Sequence, residues 1–327
     1  MIPERWFSLG LWAALGAFAL LAQALDETYW ITLASRAVVF AIAGVGLNLA
    51  LGSGGMVSFG HAAFFGIGGY AVGIPASHAQ NYVPLFAETW ALPGTQSMLV
   101  TWPLAAAAGA LAALVIGALS LRTSGAYFIM ITLAFGQMLY YFAVAWGAYG
   151  GEDGISIWSR GTFPGVNTFQ PLPVFGLCYG VLTAVLLLSW MLNRSAFGLA
   201  LGAVRQAPER VRALGIDPFG VRLAAFVVSG AITALAGALF ADLNRYVSPA
   251  LFSWTYSGEF IVFVVLGGIG RLMGPVVGAL VFVVLESWLG GLSEHWLLYL
   301  GALLLGVVLF AKGGLVGALA REGPRHG

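Results

Sequence analysis

Long apolar blocks separated by short polar segments run through the whole chain. Ten blocks are predicted to be helices, at about residues 7–25, 31–51, 57–76, 98–120, 125–146, 173–192, 222–244, 257–270, 273–290 and 294–311. Most have the roughly 20 residues that a helix needs to cross about 30 Å of hydrocarbon. The pattern therefore predicts an all-α fold: a polytopic transmembrane helical bundle of about ten spans, formed as a single domain by residues 1–327.

Two glycine-rich segments interrupt the apolar pattern, 52–60 (GSGGMVSFG) and 267–275 (GGIGRLMGP). Matched breaks in the two halves of a membrane bundle often mark a polar pathway, because freed backbone groups are tolerated only where they face protein or water. The candidate pathway residues are Asn48, Ser58, Gly60, His61, Gly267 and Gly268. Two alternatives remain: the glycines serve close helix packing, with His61 as a structural hydrogen-bonding residue, or both segments are re-entrant.

The composition is not that of a water-soluble protein. Hydrophobic residues make up 60% of the chain and charged residues 8%, against roughly 45–50% and about 25% in soluble domains. Fourteen basic and 13 acidic residues are too few to cover a protein of this length. The surface must therefore face lipid, and a net charge of +1 gives no reason to expect nucleic-acid binding.

The positive charges predict the orientation. With the N-terminus inside, the inner side collects Arg5, Arg122, Arg194, Arg205, Arg210, Arg212, Arg222, Arg271, Lys312, Arg321 and Arg325. Arg160 and Arg245 fall outside, and Arg36 lies within the second span. We therefore expect a multi-pass plasma-membrane protein with both termini cytoplasmic, and a cytoplasmic tail at 312–327.

The internal loop 193–221 is predicted to contain a helix at about 208–214, since Pro208 suits a first helical position and Gly215 a stop. One predicted face carries Val204, Ala207, Val211 and Leu214, and the other carries Arg205, Glu209, Arg210 and Arg212. Either the apolar face docks on protein, or the loop is solvated and has no partner.

Ionisable residues are sparse elsewhere. Glu152 and Asp153 lie in a glycine-rich external loop, where they either contact a soluble partner or form a turn. Asp242, Arg245, Glu259 and Glu286 are placed near the outer interface, as gating or docking residues or as hydrated ones.

No catalytic or metal-ligand pattern is found. Lys312, the single lysine, is followed by Gly313, so the chain has no phosphate-binding loop. We expect no enzyme activity, and no cofactor in this chain. Cys178 is the single cysteine, so an intrachain disulfide is impossible.

Several stretches carry a family resemblance. They begin at Gly46 (GLNLALGSGGMVSFGHAAFFGIGGYAVG), Ser124 (SGAYFIMITLAFGQM), Ala224 (AAFVVSGAITALAGALFA), Val247 (VSPALFSW), Val264 (VVLGGIGRLMGPVVGAL) and Ala311 (AKGGLVG). Together, over about residues 36–317, the chain resembles the second permease subunit of the bacterial ABC importers for branched-chain amino acids.

The internal loop also resembles the coupling loop of ABC importer permeases, which carries an acidic residue, two alanines, three variable positions and a glycine. Ala207, Glu209, Ala213 and Gly215 match it loosely, because Pro208 and the shifted alanines depart from the pattern. The residues expected to couple to an ATPase are Arg205, Ala207, Glu209, Arg212, Ala213 and Gly215.

The resemblance implies import of branched-chain amino acids by alternating access in the inner membrane. The implied partners are a homologous second permease, two cytoplasmic ATPases that bind ATP and Mg, and a periplasmic binding protein that docks at Glu152 and Asp153. Related members carry urea, short amides or aromatic acids. An ion-coupled secondary transporter is the rival from another class, although such proteins usually carry charges in the centres of their spans.

Overall fold

A computed structural model describes residues 2–84, 93–292, 295–310 and 313–321. Its α-helices are α1 (Glu4–Ala24), α2 (Thr28–Asn48), α3 (His61–Asn81), α4 (Met98–Ser120), α5 (Ala126–Ala145), α6 (Pro171–Arg194), α7 (Ala196–Gln206), α8 (Pro208–Ala213), α9 (Pro218–Asn244), α10 (Trp254–Gly267), α11 (Gly274–Leu292), α12 (Trp296–Phe310) and α13 (Gly314–Leu319). A π-helical turn at Leu49–Ser53 extends α2. The prediction of an all-α membrane bundle is confirmed.

The count of about ten spans is not confirmed. Within the described residues, seven helices are long and apolar enough to cross a membrane: Trp6–Ala24, Thr28–Ser53, Met98–Ser120, Ala126–Ala145, Pro171–Arg194, Pro218–Asn244 and Gly274–Gly291. The remaining predicted spans correspond to α3, α10 and α12. With 14 residues, α10 is about 21 Å long, which is less than the hydrocarbon thickness.

Two helices form the centre of the bundle. In the most apolar stretch of α2, 78% of residues are buried, and in α9 67%, whereas α1 has 17% and α5 22%. Phe40 of α2 stacks on Phe240 of α9, with ring centroids 5.6 Å apart. The outer helices present apolar residues all round, as lipid-facing helices do.

Small residues let α9 approach its neighbours closely. A Cβ on Gly68 of α3 would collide with the backbone of Ala234, and one on Gly237 of α9 would collide with the backbone of Phe65. This is the small-residue packing of membrane helices, in which backbones rather than side chains meet.

Short strands identify the two ends of the bundle. At one end, β2 (Ile155–Ser156) pairs antiparallel with β3 (Tyr246–Val247); we call it the loop end, because residues 147–170 lie there. At the other end, β1 (Ile2–Pro3) pairs with β4 (Ala320–Arg321); we call it the arginine end, because α7 and α8 lie there. Both described ends of the chain are therefore on the same side.

Candidate functional site

The glycine segments converge at the arginine end. A Cβ on Gly52 would lie 2.7 Å from the Cα of Gly270, and a Cβ on Gly314 would lie 2.6 Å from the Cα of Gly268. Gly268 and Gly270 have φ angles of +130° and +76°, which side chains disfavour. Glycine is therefore needed here for both close approach and backbone conformation. Lys312 and residues 322–327 of the predicted tail lie outside the described residues.

Asn48 ties two of these segments together. Its side-chain Nδ2 donates to the carbonyl of Arg271 (2.9 Å), and its Oδ1 accepts from the amide of Gly270 (2.9 Å). With 7% exposure, the Asn48 amide replaces backbone partners that the α10–α11 turn lacks. The end of α2 is thereby fixed to that turn.

Arg205 attaches the predicted coupling loop to the same place. Its guanidinium donates to the carbonyl of Gly52, and its side chain runs beside Gly55, whose φ is +67°. The hydroxyl of Ser53 donates to Asn193 at the end of α6, over 2.9 Å. We call the contact of Asn48, Gly52, Arg205 and Gly270 the glycine junction.

The predicted helix in the loop is confirmed as α8, and α7 before it was not predicted. On the predicted apolar face, Val204 and Val211 are buried within the chain, whereas Leu214 is 78% exposed. The reason is that α8 ends at Ala213, so Leu214 lies in a turn. Gly215, with φ +84°, follows it and turns the chain toward α9.

The other predicted coupling residues lie on the surface. Glu209, Arg212, Ala213 and Gly215 are exposed, and Ala207 is half-buried. Arg212 and Glu209 form an exposed ion pair of 3.2 Å, a kind of pair that adds little stability. Their assignment to ATPase coupling stays a prediction.

A second group of candidate residues lies inside the bundle, where α3 begins. His61 is fully buried, and its Nε2 is 2.7 Å from the Oγ of Ser229 in the middle of α9. Ser229 donates its one hydroxyl proton to the carbonyl of Gly46 (2.6 Å), so His61 must be the donor in the other bond. The imidazole therefore carries a proton on Nε2, and its Nδ1 has no partner among the described residues.

Hydroxyl groups cap the start of α3. The amide of Ala62 donates to Ser257 in the first turn of α10 (2.9 Å), and the amide of Phe59 donates to Thr132 of α5 (3.2 Å). Ser58 accepts from Gly60 (3.2 Å). The N-terminal end of α3 thus meets the first turn of α10 at the buried Ser257, and the partial positive charge at the start of a helix suits an anion.

The structure therefore separates the predicted pathway residues into two places. Ser58, Gly60 and His61 form this interior site, whereas Asn48, Gly267 and Gly268 belong to the arginine end. Sequence reasoning missed Thr132, Ser229 and Ser257. In the sequence, each of them is a hydroxyl residue within an otherwise apolar helix. Helix packing explains such a residue as readily as a functional role does.

At the loop end, Glu152 and Asp153 are exposed on a 3₁₀ turn, Gly151–Asp153. Tyr246 of β3 donates to the carbonyl of Asp153 (2.7 Å) and holds this turn in place. Burial lowers the pKa of the nearby Arg160, with Arg245 adding to the effect. Binding-protein docking at this turn stays a prediction.

Asp242 is a structural residue in this arrangement. It is 5% exposed and accepts from the indole nitrogen of Trp102 on α4 over 2.8 Å. A buried carboxylate so paired fixes α9 to α4. Its burial leaves no surface for docking.

Comparison with known proteins decides the family. The family described as "branched-chain amino acid transport system / permease component" matches residues 29–311. The chain belongs to this family. It is accordingly a transport subunit and a multi-pass inner-membrane protein, and the resemblance drawn from its sequence is confirmed.

Relatives agree with the family match. The high-affinity branched-chain amino acid transport system permease protein LivM of Salmonella typhimurium is 28% identical over 315 residues, covering 88% of this chain and 69% of the relative, and that of Escherichia coli K12 matches equally. The autoinducer 2 import system permease protein LsrC of Yersinia pseudotuberculosis is 32% identical over 142 residues, 40% of each chain. No solved structure matches.

Proposed function

We propose that this chain is the permease subunit of an ABC importer that moves branched-chain amino acids into the cytoplasm by alternating access. The family match supports the importer class and the substrate. The arginine end faces the cytoplasm in this proposal, because it carries both described chain ends and most of the arginines. The importers of urea, short amides or aromatic acids and the ion-coupled transporters are not favoured by the match.

The working complex is a pair of homologous permeases with two cytoplasmic ATPases and a periplasmic binding protein. The ATPases bind ATP and Mg, since this chain carries no phosphate-binding loop. The binding protein docks on the turn that presents Glu152 and Asp153. In this proposal α3, α10 and α12 join the seven long helices, with α3 and α10 each crossing part of the membrane.

The glycine junction carries the mechanistic part of the proposal. An ATPase contacts the exposed surface of α8, and its movement displaces α7. Arg205 transmits the displacement to the carbonyl of Gly52 at the end of α2, and Asn48 passes it to the α10–α11 turn. One surface loop thereby reaches two central elements of the bundle.

In this proposal, the movement of α2 opens the interior site. Gly46 lies in α2 close to the junction, and its carbonyl holds Ser229, which in turn holds His61. A displaced α2 releases that chain of hydrogen bonds and exposes the N-terminal ends of α3 and α10. A substrate carboxylate then takes the place of the hydroxyl groups there.

Replacement of Arg205 tests the coupling step. In the complete transporter reconstituted in vesicles, Arg205→Ala should lower leucine uptake by about tenfold or more while ATP hydrolysis continues, because a hydrogen bond to a charged group contributes about 1.5–3 kcal/mol. The matched control is Arg122→Ala, which removes an exposed arginine after α4. Normal uptake by the Arg205 variant would contradict the assignment, and gradient-driven uptake without ATPases would contradict the importer class.

A further inference from the structure

An ion pair joins α2 and α11 near the loop end of the bundle. The Nη2 of Arg36 in α2 is 2.8 Å from the Oε1 of Glu286 in α11, and the two side chains are 36% and 22% exposed. Arg36 is the ninth residue of α2, about 12 Å along the helix from its first residue. Charges at membrane depth are costly and mark functional sites by default.

The ion pair does not satisfy every polar atom of the cluster. Glu259 of α10 supplies a second carboxyl group that interacts electrostatically with Arg36 and Glu286. The Oε2 of Glu286 is buried and has no hydrogen-bond partner among the described residues. Leaving a buried carboxylate oxygen without a hydrogen bond costs free energy, so a purely structural ion pair is expected to satisfy both oxygens. The cluster therefore has room for one further cationic donor.

A cavity of about 340 Å³ adjoins the pair. Its polar lining consists of Tyr29, Thr32, Arg36, Asn244, Glu286 and Ser287. Leu33 and Leu243 supply an apolar wall. The hydroxyls of Tyr29 and Ser287 lie 2.6 Å apart and fix one side. The cavity contains the groups for a cation, an anion and a small aliphatic group.

We infer that this cavity binds a zwitterionic amino acid at the loop end, before the substrate reaches the interior site. Its α-carboxylate pairs with Arg36, its α-ammonium with Glu286, and its aliphatic side chain packs on Leu33 and Leu243. The inference rests on the proposed function and adds a first substrate-binding site to it. The headgroup of phosphatidylethanolamine has the same pair of charges, so the experiment must separate the two sources.

Thiol labelling of Ser287→Cys tests the site. Cys178, the single native cysteine of this chain, is 2% exposed, so the new thiol dominates the labelling of this chain, which is measured after its separation from the partner subunits. In the reconstituted transporter L-leucine should slow labelling severalfold, whereas 3-methylbutylamine and 4-methyl-2-oxopentanoate, which each lack one charge, should protect poorly. The control is Ser156→Cys, exposed at the same end but outside the cavity, whose labelling leucine should leave unchanged.

Charge replacement supplies the second arm. Added to Ser287→Cys, Glu286→Gln should abolish protection by leucine, and Glu259→Gln should weaken it. Because Glu286→Gln leaves Arg36 without its carboxylate, the neutral double variant Arg36→Gln/Glu286→Gln is tested beside it and should also lose protection. Co-purification with the ATPase verifies that each variant assembles.

Four outcomes separate the possibilities. Protection by leucine that disappears in the charge variants supports the inference. A labelling rate that leucine does not change, but that is lower in phosphatidylethanolamine vesicles than in phosphatidylcholine vesicles, indicates a lipid headgroup in the cavity. That result overturns the inference. Leucine uptake by the unmodified transporter is measured in the same vesicles: uptake without any protection overturns this inference alone, whereas no uptake means that the proposed function has failed.

Discussion

The glycine junction and the interior site differ in the chemical groups that form their contacts. At the junction, backbone meets backbone, and the polar contacts come from one guanidinium and one side-chain amide, those of Arg205 and Asn48. At the interior site, the polar contacts come from several hydroxyl groups and one imidazole, with Ser229 between His61 and Gly46.

This difference fits the two tasks that we propose. Backbone contacts without side chains cannot be compressed, so a push at α7 must displace α2 rather than be absorbed. Single hydrogen bonds contribute only about 0.5–1.5 kcal/mol each. A substrate carboxylate can replace them, so the interior site can open and close.

The largest effect is expected from a methyl group in the junction. The Cβ of Gly52→Ala would lie within 2.7 Å of Gly270 and collide with the side chain of Asn48, and such overpacking costs about 1–3 kcal/mol or more. Leucine uptake should fall by more than about tenfold and the melting temperature should drop by several degrees. The control is Gly176→Ala in α6, where a Cβ meets open space. Equal behaviour of the two variants would show that the junction is not tightly packed.

A smaller effect is expected inside the bundle. Ser229→Ala removes the partner of His61 and of the Gly46 carbonyl together, leaving buried groups unpaired at a cost of about 1–3 kcal/mol. Stability should fall, and leucine uptake should fall by about tenfold. Ser35→Ala is the control, because that buried hydroxyl bonds only to Ile31 in its own helix. If both serine variants lose the same stability and uptake, Ser229 has no special role.

The smallest effect on stability is expected at the end of α8. Gly215→Val forces a side chain onto a residue with φ +84°, at a local cost of about 1–2 kcal/mol. We expect ATP hydrolysis without matching uptake, because α8 is redirected while the bundle is untouched. Gly165→Val imposes similar strain in the external loop, where φ is +76°, and should leave coupling intact. A variant at Gly215 with normal uptake per ATP hydrolysed would exclude this turn from coupling.

Much of the fold was predictable because its signals are local. The length of an apolar block determines whether a helix can span hydrocarbon, so most long helices were found. Pro208 and Gly215 bounded α8 to within one residue. The misses have local causes too: α7 lacks a proline signal, and α3 and α10 begin inside the bundle, where apolar composition gives no boundary.

The candidate site was only partly predictable. The glycine breaks and His61 were identified from composition, but their partners were not. Asn48 and Arg271 are 223 residues apart in the sequence, His61 and Ser229 are 168 apart, and Arg36 and Glu286 are 250 apart.

By itself, the sequence determined that this protein lies in a membrane, that it is helical, and which family its ordered motifs resemble. These depend on hydrophobic length, charge distribution and short runs of residues, which need no knowledge of neighbours in space. Only the tertiary structure decided which polar residues meet. In a bundle of similar apolar helices, the pairing of faces depends on how small residues on distant segments fit together, and no local pattern encodes that fit.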